Sequence, residues 1–119
     1  MKLNAQEKTE LIKIASELLQ NGDILKNAQI RKYASLAMQA DCYDEFENYM
    51  KYQIGRSNSN ELQFLDQTLK KVMEIKSAES NDSKCLLKIA YLFGVMAREK
   101  QYKEKIEKKI KTGDENENI

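Results

Sequence analysis

The chain contains no proline and no histidine, and only four glycines and two cysteines among 119 residues. Each shortage excludes something. Proline and glycine punctuate strands and tight loops far more than helix interiors, so their scarcity points to an all-α protein. With two cysteines and no histidine, the usual Cys/His zinc sets cannot be completed. Cys42 and Cys85 show no C-x-x-C spacing and no ladder of further cysteines, which leaves two thiols expected to stay reduced and half-buried in a cytoplasmic protein. No run of eighteen apolar residues exists to cross a membrane, and the opening MKLNAQEKTE lacks the apolar core of a signal peptide, so the expected location is cytoplasmic. Net charge is scarce too: 20 basic against 19 acidic residues leave +1, and any nucleic-acid surface must come from local segregation of charge.

What is present is helical periodicity. A chain of this length fits one domain and can bury roughly two-thirds of its unfolded surface. The spacing predicts a compact bundle of about five helices over residues 1–111, with 112–119 (TGDENENI) as a disordered acidic tail. Asn4 with Glu7 three residues on forms a capping-box pattern at the start of the first helix, whose apolar stripe is Leu11, Ile12, Ala15, Leu18 and Leu19. Asn21 and Gly22 supply its stop, and Ile24 and Leu25 tuck inward from a short connector.

Asn27 is the expected cap of a second helix with Ile30, Tyr33, Ala34, Ala37 and Met38 on one face. Asp41 or Asp44 would cap a third, carrying Phe46, Tyr49, Met50 and Ile54 and stopped by Gly55. A tight turn near 40–43 separates the two; a single bent helix is the competing possibility. A polar loop, RSNSN, leads to a fourth helix from about Glu61 to Lys76 with Leu62, Leu65, Leu69, Val72 and Met73 facing inward. From Ser83 a long last helix begins, apolar nearly all round through CLLKIAYLFGVMA and therefore the most buried element. Its second half reverses character. Between Arg98 and Lys111 seven basic residues face three acids, and that half is expected to project from the body.

Basic and aromatic side chains gather at 27–56, where Arg31 and Lys32 fall off the apolar face of one helix and Lys51, Tyr52 and Arg56 close the next. Positive side chains at helix ends can hold phosphate without reading bases, and Arg31 and Lys32 are expected at the first turn, where at Arg31 the helix dipole and free backbone N–H groups also favour an anion. The plain alternative pairs Arg31 and Arg56 with acids such as Glu45 or Glu47 on a solvated surface. Most of the six tyrosines are expected to edge the core. The basic half-helix from Arg98 to Lys111 could bind RNA, or its interleaved glutamates could simply make i,i+4 pairs.

A catalytic alternative uses the i,i+3 carboxylate pairs Glu7 with Glu10 and Asp44 with Glu47, which together could hold Mg²⁺ as in all-α nucleotide pyrophosphohydrolases. No Gly-rich phosphate loop or activated nucleophile accompanies them, and neither a catalytic residue, a metal nor a cofactor is assigned. A third class is a free-standing interaction module, a helical dimer or an inhibitor, whose mark would be an uncovered apolar stripe such as Ile106 and Ile110.

The order of elements resembles the small subunit of type III-A CRISPR effector complexes, the Csm small subunit. The resemblance rests on Ala28-Gln29-Ile30-Arg31 opening one helix, Tyr52-Gln53-Ile54-Gly55-Arg56 closing the next, an amphipathic helix from Leu62 to Ile75, and the aromatic last helix from Leu86 to Phe93. It covers about Ala5 to Lys100, and the charged extension beyond has no counterpart. It implies a non-catalytic subunit stacked with neighbouring copies of itself along a ribonucleoprotein filament. The implied partners are crRNA and target RNA backbones, the repeating backbone subunits and the large polymerase-like subunit. It also implies Arg31, Lys32, Lys51 and Arg56 as phosphate contacts, with Tyr52 beside them.

Overall fold

In a computed structural model, which describes residues 2–20 and 25–117 with side chains up to Ile110, five helices follow in chain order. They are α1 (Ala5–Gln20), α2 (Asn27–Gln39), α3 (Tyr43–Arg56), α4 (Ser59–Ala78) and α5 (Asp82–Glu117). No strand occurs among the described residues. The expected stop at Asn21 and Gly22, and Ile24 beside them, lie outside the described residues; Leu25 is buried.

The inner half of α5 is the hub because it is apolar on every side. It touches all four other helices. Cys85, Ile89, Leu92, Phe93 and Met96 are sealed from solvent. The Phe93 ring stacks on Tyr33 of α2 with centroids 5.2 Å apart and meets Phe46 of α3 at 6.0 Å. One side chain thus joins three helices. Burying such a ring contributes about 1.5–3 kcal/mol.

Local chemistry explains the helix starts. At α1 the capping box forms in both directions: Glu7 N–H donates to Asn4 Oδ1 at 2.8 Å, and Asn4 N–H to Glu7 Oε1 at 2.9 Å. Asn58 caps α4 by accepting from Glu61 N–H at 2.9 Å, two residues earlier than the apolar pattern marks, and Asn81 caps α5 through Lys84 N–H at 2.9 Å.

Two caps differ from expectation. At α2 the N-cap is Lys26, not Asn27; its N–H donates to Gln29 Oε1 at 3.2 Å. At α3 neither Asp41 nor Asp44 caps. The N-cap is Cys42, which offers no side-chain bond, and the first N–H, that of Tyr43, donates to Asp82 Oδ2 at 2.7 Å. Asp82 also pairs with Lys76 at 2.8 Å. One carboxylate therefore ties together the start of α3, the end of α4 and the start of α5. The Lys76 ammonium first, and the Tyr43 N–H second, hold its pKa below the ordinary value of 3.8.

The stripes are mostly those the spacing predicts, with informative exceptions. In α4 Leu65, Leu69 and Val72 face inward, but Leu62 and Met73 are exposed and Phe64, Thr68 and Ile75 fill their place. Thr68 is tolerated in the core because its hydroxyl donates to Phe64 O at 2.8 Å. Ile12 and Met38 are likewise exposed, lying at the margins of stripes carried by Leu11, Ala15 and by Ile30, Tyr33, Ala37. Tyr33 and Tyr43 are buried, Tyr49 and Tyr91 half-buried, and Tyr52 and Tyr102 exposed. Cys85 is fully buried and Cys42 exposed, so neither is half-buried.

Beyond Lys100, residues 101–110 of α5 are all exposed, though as far as Glu107 the helix still borders the end of α1, sharing a groove with Ser16, Leu19 and Gln20. The molecule measures 58 × 35 × 21 Å, and its radius of gyration of 15.9 Å exceeds the about 13.5 Å typical of a rounded domain of this size. The backbone helix continues through 112–117, which the sequence pattern assigns to a disordered tail; residues 118–119 lie outside the described residues. No described helix is long and apolar enough to cross a membrane.

Candidate nucleic-acid interface

Helix α3 positions the site. Its buried side is Tyr43, Phe46 and Met50, which turns Tyr49, Tyr52 and Arg56 toward the edge that it shares with α2. These three recur at i, i+3 and i+7 and so stand one above another. The turn at 40–42 brings α2 back alongside, and the Tyr33 ring meets the Tyr49 ring edge-on at 6.3 Å with planes 72° apart. Lys32 then reaches across from α2, its ammonium 5.9 Å from the centroid of Tyr49. At the far end the Arg56 guanidinium lies 5.4 Å from the centroid of Tyr52, and Nη1 donates to the Tyr52 hydroxyl at 3.4 Å. Lys32, Tyr49, Tyr52 and Arg56 form one cationic and aromatic strip.

The five residues singled out by the sequence are all exposed, but they do not all share this strip. Lys32, Tyr52 and Arg56 do. Lys51 sits on the opposite flank of α3, paired with Glu47 at 3.1 Å. Arg31 lies on the flank of α2 that carries Ser35 and Met38, four and seven residues on, away from Tyr49. Nor is Arg31 in the first turn. The helical ladder has begun by Ile30, whose N–H donates to Lys26 O at 3.2 Å, so the backbone at Arg31 is no free anion donor. Tyr49, given by its spacing to the apolar stripe, proves central to the strip; its i+3 and i+7 relation to Tyr52 and Arg56 is the signal that marks it.

Electrostatics leave the strip unneutralised. Among the described residues neither Arg31, Lys32 nor Arg56 has a carboxylate partner. The two acids that the sequence offers as partners, Glu45 and Glu47, are engaged elsewhere. Glu47 accepts from the Tyr43 hydroxyl at 2.8 Å and pairs with Lys51, and these two bonds lower its pKa from the ordinary 4.5. Glu45 accepts from the Asp41 N–H at 3.4 Å.

The carboxylate pairs of the catalytic alternative are not brought together. Glu7 is on α1 and Glu47 on α3, helices that do not touch. Glu7 is held by Lys84 at 2.9 Å and Lys88 at 3.6 Å, and Lys88 extends the network to Glu79 at 3.0 Å. The Asn4 N–H first, then Lys84, lower the Glu7 pKa, as expected of a carboxylate bound into structure. No cluster of three or more metal-ligating side chains occurs among the described residues.

No family model, no curated protein and no solved structure matches this chain.

Proposed function

We propose that this protein is a non-catalytic helical subunit that contacts RNA backbone within a type III-A CRISPR interference complex. The observation that supports this best is the strip on α2 and α3, in which two cations without carboxylate partners rest over two tyrosine rings one helical turn apart. Exposed cation–π contacts contribute only about 0.5–1 kcal/mol, whereas hydrogen bonds to a charged group contribute about 1.5–3 kcal/mol. A phosphate can therefore draw Lys32 and Arg56 off their rings. The freed faces of Tyr49 and Tyr52 then offer sequence-tolerant stacking. A filament that accepts any guide needs backbone contact of this kind, not base-edge readout. The order of helices and the Tyr52-Gln53-Ile54-Gly55-Arg56 ending are the features that resemble the Csm small subunit.

The test is target RNA retention by the assembled complex carrying Lys32→Glu and Arg56→Glu. Each lost phosphate contact removes about 0.7 from the slope of log affinity against log salt for a single strand, so the double variant should bind more weakly and lose about 1.4 of that slope. Unchanged retention and slope would sink the assignment.

A second reading, a free-standing protein-interaction module, is favoured by one observation: Tyr102, Ile106 and Ile110 lie exposed at i, i+4 and i+8 along the outer half of α5. Sedimentation separates the two. A module of this kind forms a stable dimer or a binary complex, while a filament subunit is monomeric alone and sediments with a large assembly in extracts.

A further inference from the structure

Helices α2 and α5 pack antiparallel: Met38 and Asp41 line one groove with Ser83 and Leu87, while Ala34 and Ser35 line the next with Tyr91, Gly94 and Arg98. One edge of the surface of α5 that carries α2 is thus the row Leu87, Tyr91, Gly94, Arg98, at i, i+4, i+7 and i+11. Continued at the same spacing past the start of α2, that row becomes Arg98, Tyr102, Lys105 and Lys109. It changes from groove edge to basic surface near the point where α2 begins. Arg31, one turn beyond Ser35 on α2, lies at the Arg98 end of the row.

We propose that Arg98, Tyr102, Lys105 and Lys109 form a second contact for a single-stranded polynucleotide, separate from the α2 and α3 strip. The row is straight and about 16 Å long at 1.5 Å per residue. All four side chains are exposed, Tyr102 to 69%. None of the three cations has a carboxylate partner among the described residues. The three acids of the same segment lie off this row: Glu99 accepts from the Ser16 hydroxyl at 2.9 and 3.1 Å, Glu104 pairs with Lys100 at 3.4 Å, and Glu107 lines the groove against Ser16 and Leu19 of α1. Segregation of this kind leaves one face of a near-neutral protein strongly positive. Tyr102 borders the end of α1, sharing a groove with Leu19 and Gln20, but keeps an exposed ring beside the three cations, which suits a strand whose bases are unstacked, since a duplex offers no free base face to it.

The experiment uses the full-length isolated protein and a fluorescein-labelled oligouridine of about twenty nucleotides, enough to cover a typical single-strand site, followed by anisotropy across a salt series. Changing Arg98, Lys105 and Lys109 together to Gln, a good helix former, preserves the helix by circular dichroism and lowers the salt slope by about 2, at about 0.7 per phosphate contact. Tyr102→Ala weakens binding about tenfold with the slope unchanged, the signature of lost stacking. Lys32→Gln with Arg56→Gln leaves the contribution of the α5 row in place, so failure of either site is seen apart from the other. The proposal is overturned by any of four results: no salt-dependent binding at low ionic strength, an unchanged slope in the triple variant, an equal loss from the control Lys70→Gln with Lys71→Gln on α4, or preference for duplex RNA or polyglutamate over the single strand.

Discussion

At the scale of single residues, the two thiols divide sharply. Cys85 lies in the centre of the core, and burial pushes its pKa from the ordinary 9.0 up to about 11, whereas Cys42 caps α3 in solvent. Since the thiolate is the reactive form, a native sample at mildly alkaline pH should take up one equivalent of a thiol reagent rapidly, at Cys42, and the second only as fast as the protein unfolds. Two equally rapid equivalents would show that the inner half of α5 is not packed as described. The strip on α3 illustrates the same contrast between neighbours. Lys51 and Tyr52 are adjacent in sequence, but a helix turns them about 100° apart, so one is neutralised by Glu47 and the other carries Arg56.

At the scale of elements, glycine in α3 and α5 marks no turn. Gly55 reads in the sequence as a helix stop, yet no described glycine has a positive φ, and α3 ends one residue later at Arg56. A Cβ at Gly55 would meet nothing within 4 Å, and one at Gly94 only Arg98 Nη1 at an ordinary 3.5 Å. Gly55→Ala and Gly94→Ala should each stabilise the protein by about 0.5–1 kcal/mol, by shedding the backbone entropy of glycine in a helix. Denaturant melts check this, and a loss of stability at either site would mean a tighter neighbourhood than the structure has.

The helices themselves were legible because their apolar periodicity is strong and because Asn4 with Glu7 is a local signal. The faces were less so. Leu62 and Met73 share the helical period with Leu65, Leu69 and Val72 as well as Phe64 and Ile75 do, and polar Thr68 hides the true centre of the stripe. The start of α3 was illegible for another reason: its cap is the carboxylate of Asp82, 39 residues away. In the same way the sequence marked Lys32, Tyr52 and Arg56 as surface cations and an aromatic. It could not pair Lys32 with Tyr49, which needs the turn at 40–42 to fold α2 against α3.

At the scale of the whole molecule, carboxylates fasten the helices to each other. Glu7 joins α1 to α5, and Asp82 joins α3 and α4 to the start of α5; Glu79, after α4, holds Lys88 of α5. The pKa values of Glu7, Glu79 and Asp82 are lowered in the folded protein, chiefly by hydrogen bonds from Asn4, Lys88 and Lys76 respectively. The unfolded chain therefore takes up protons first as pH falls. Stability is complete above the ordinary values of 4.5 and 3.8 and is lost as pH drops through the lower folded ones. Thermal melts from pH 7 to pH 2 should show this acid decline, and Asp82→Ala should lower Tm at pH 7 while making the decline shallower. An acid profile identical to wild type would remove Asp82 from that role.

The most direct measurement of the central claim is affinity purification of the tagged protein from its native host, with the co-purifying proteins and nucleic acid analysed together. An RNA-contacting subunit of an interference complex brings larger subunits and a short guide RNA with it, and Lys32→Glu with Arg56→Glu reduces the target RNA retained without dispersing the assembly. Recovery of the protein alone, or with one protein partner and no RNA, contradicts the account.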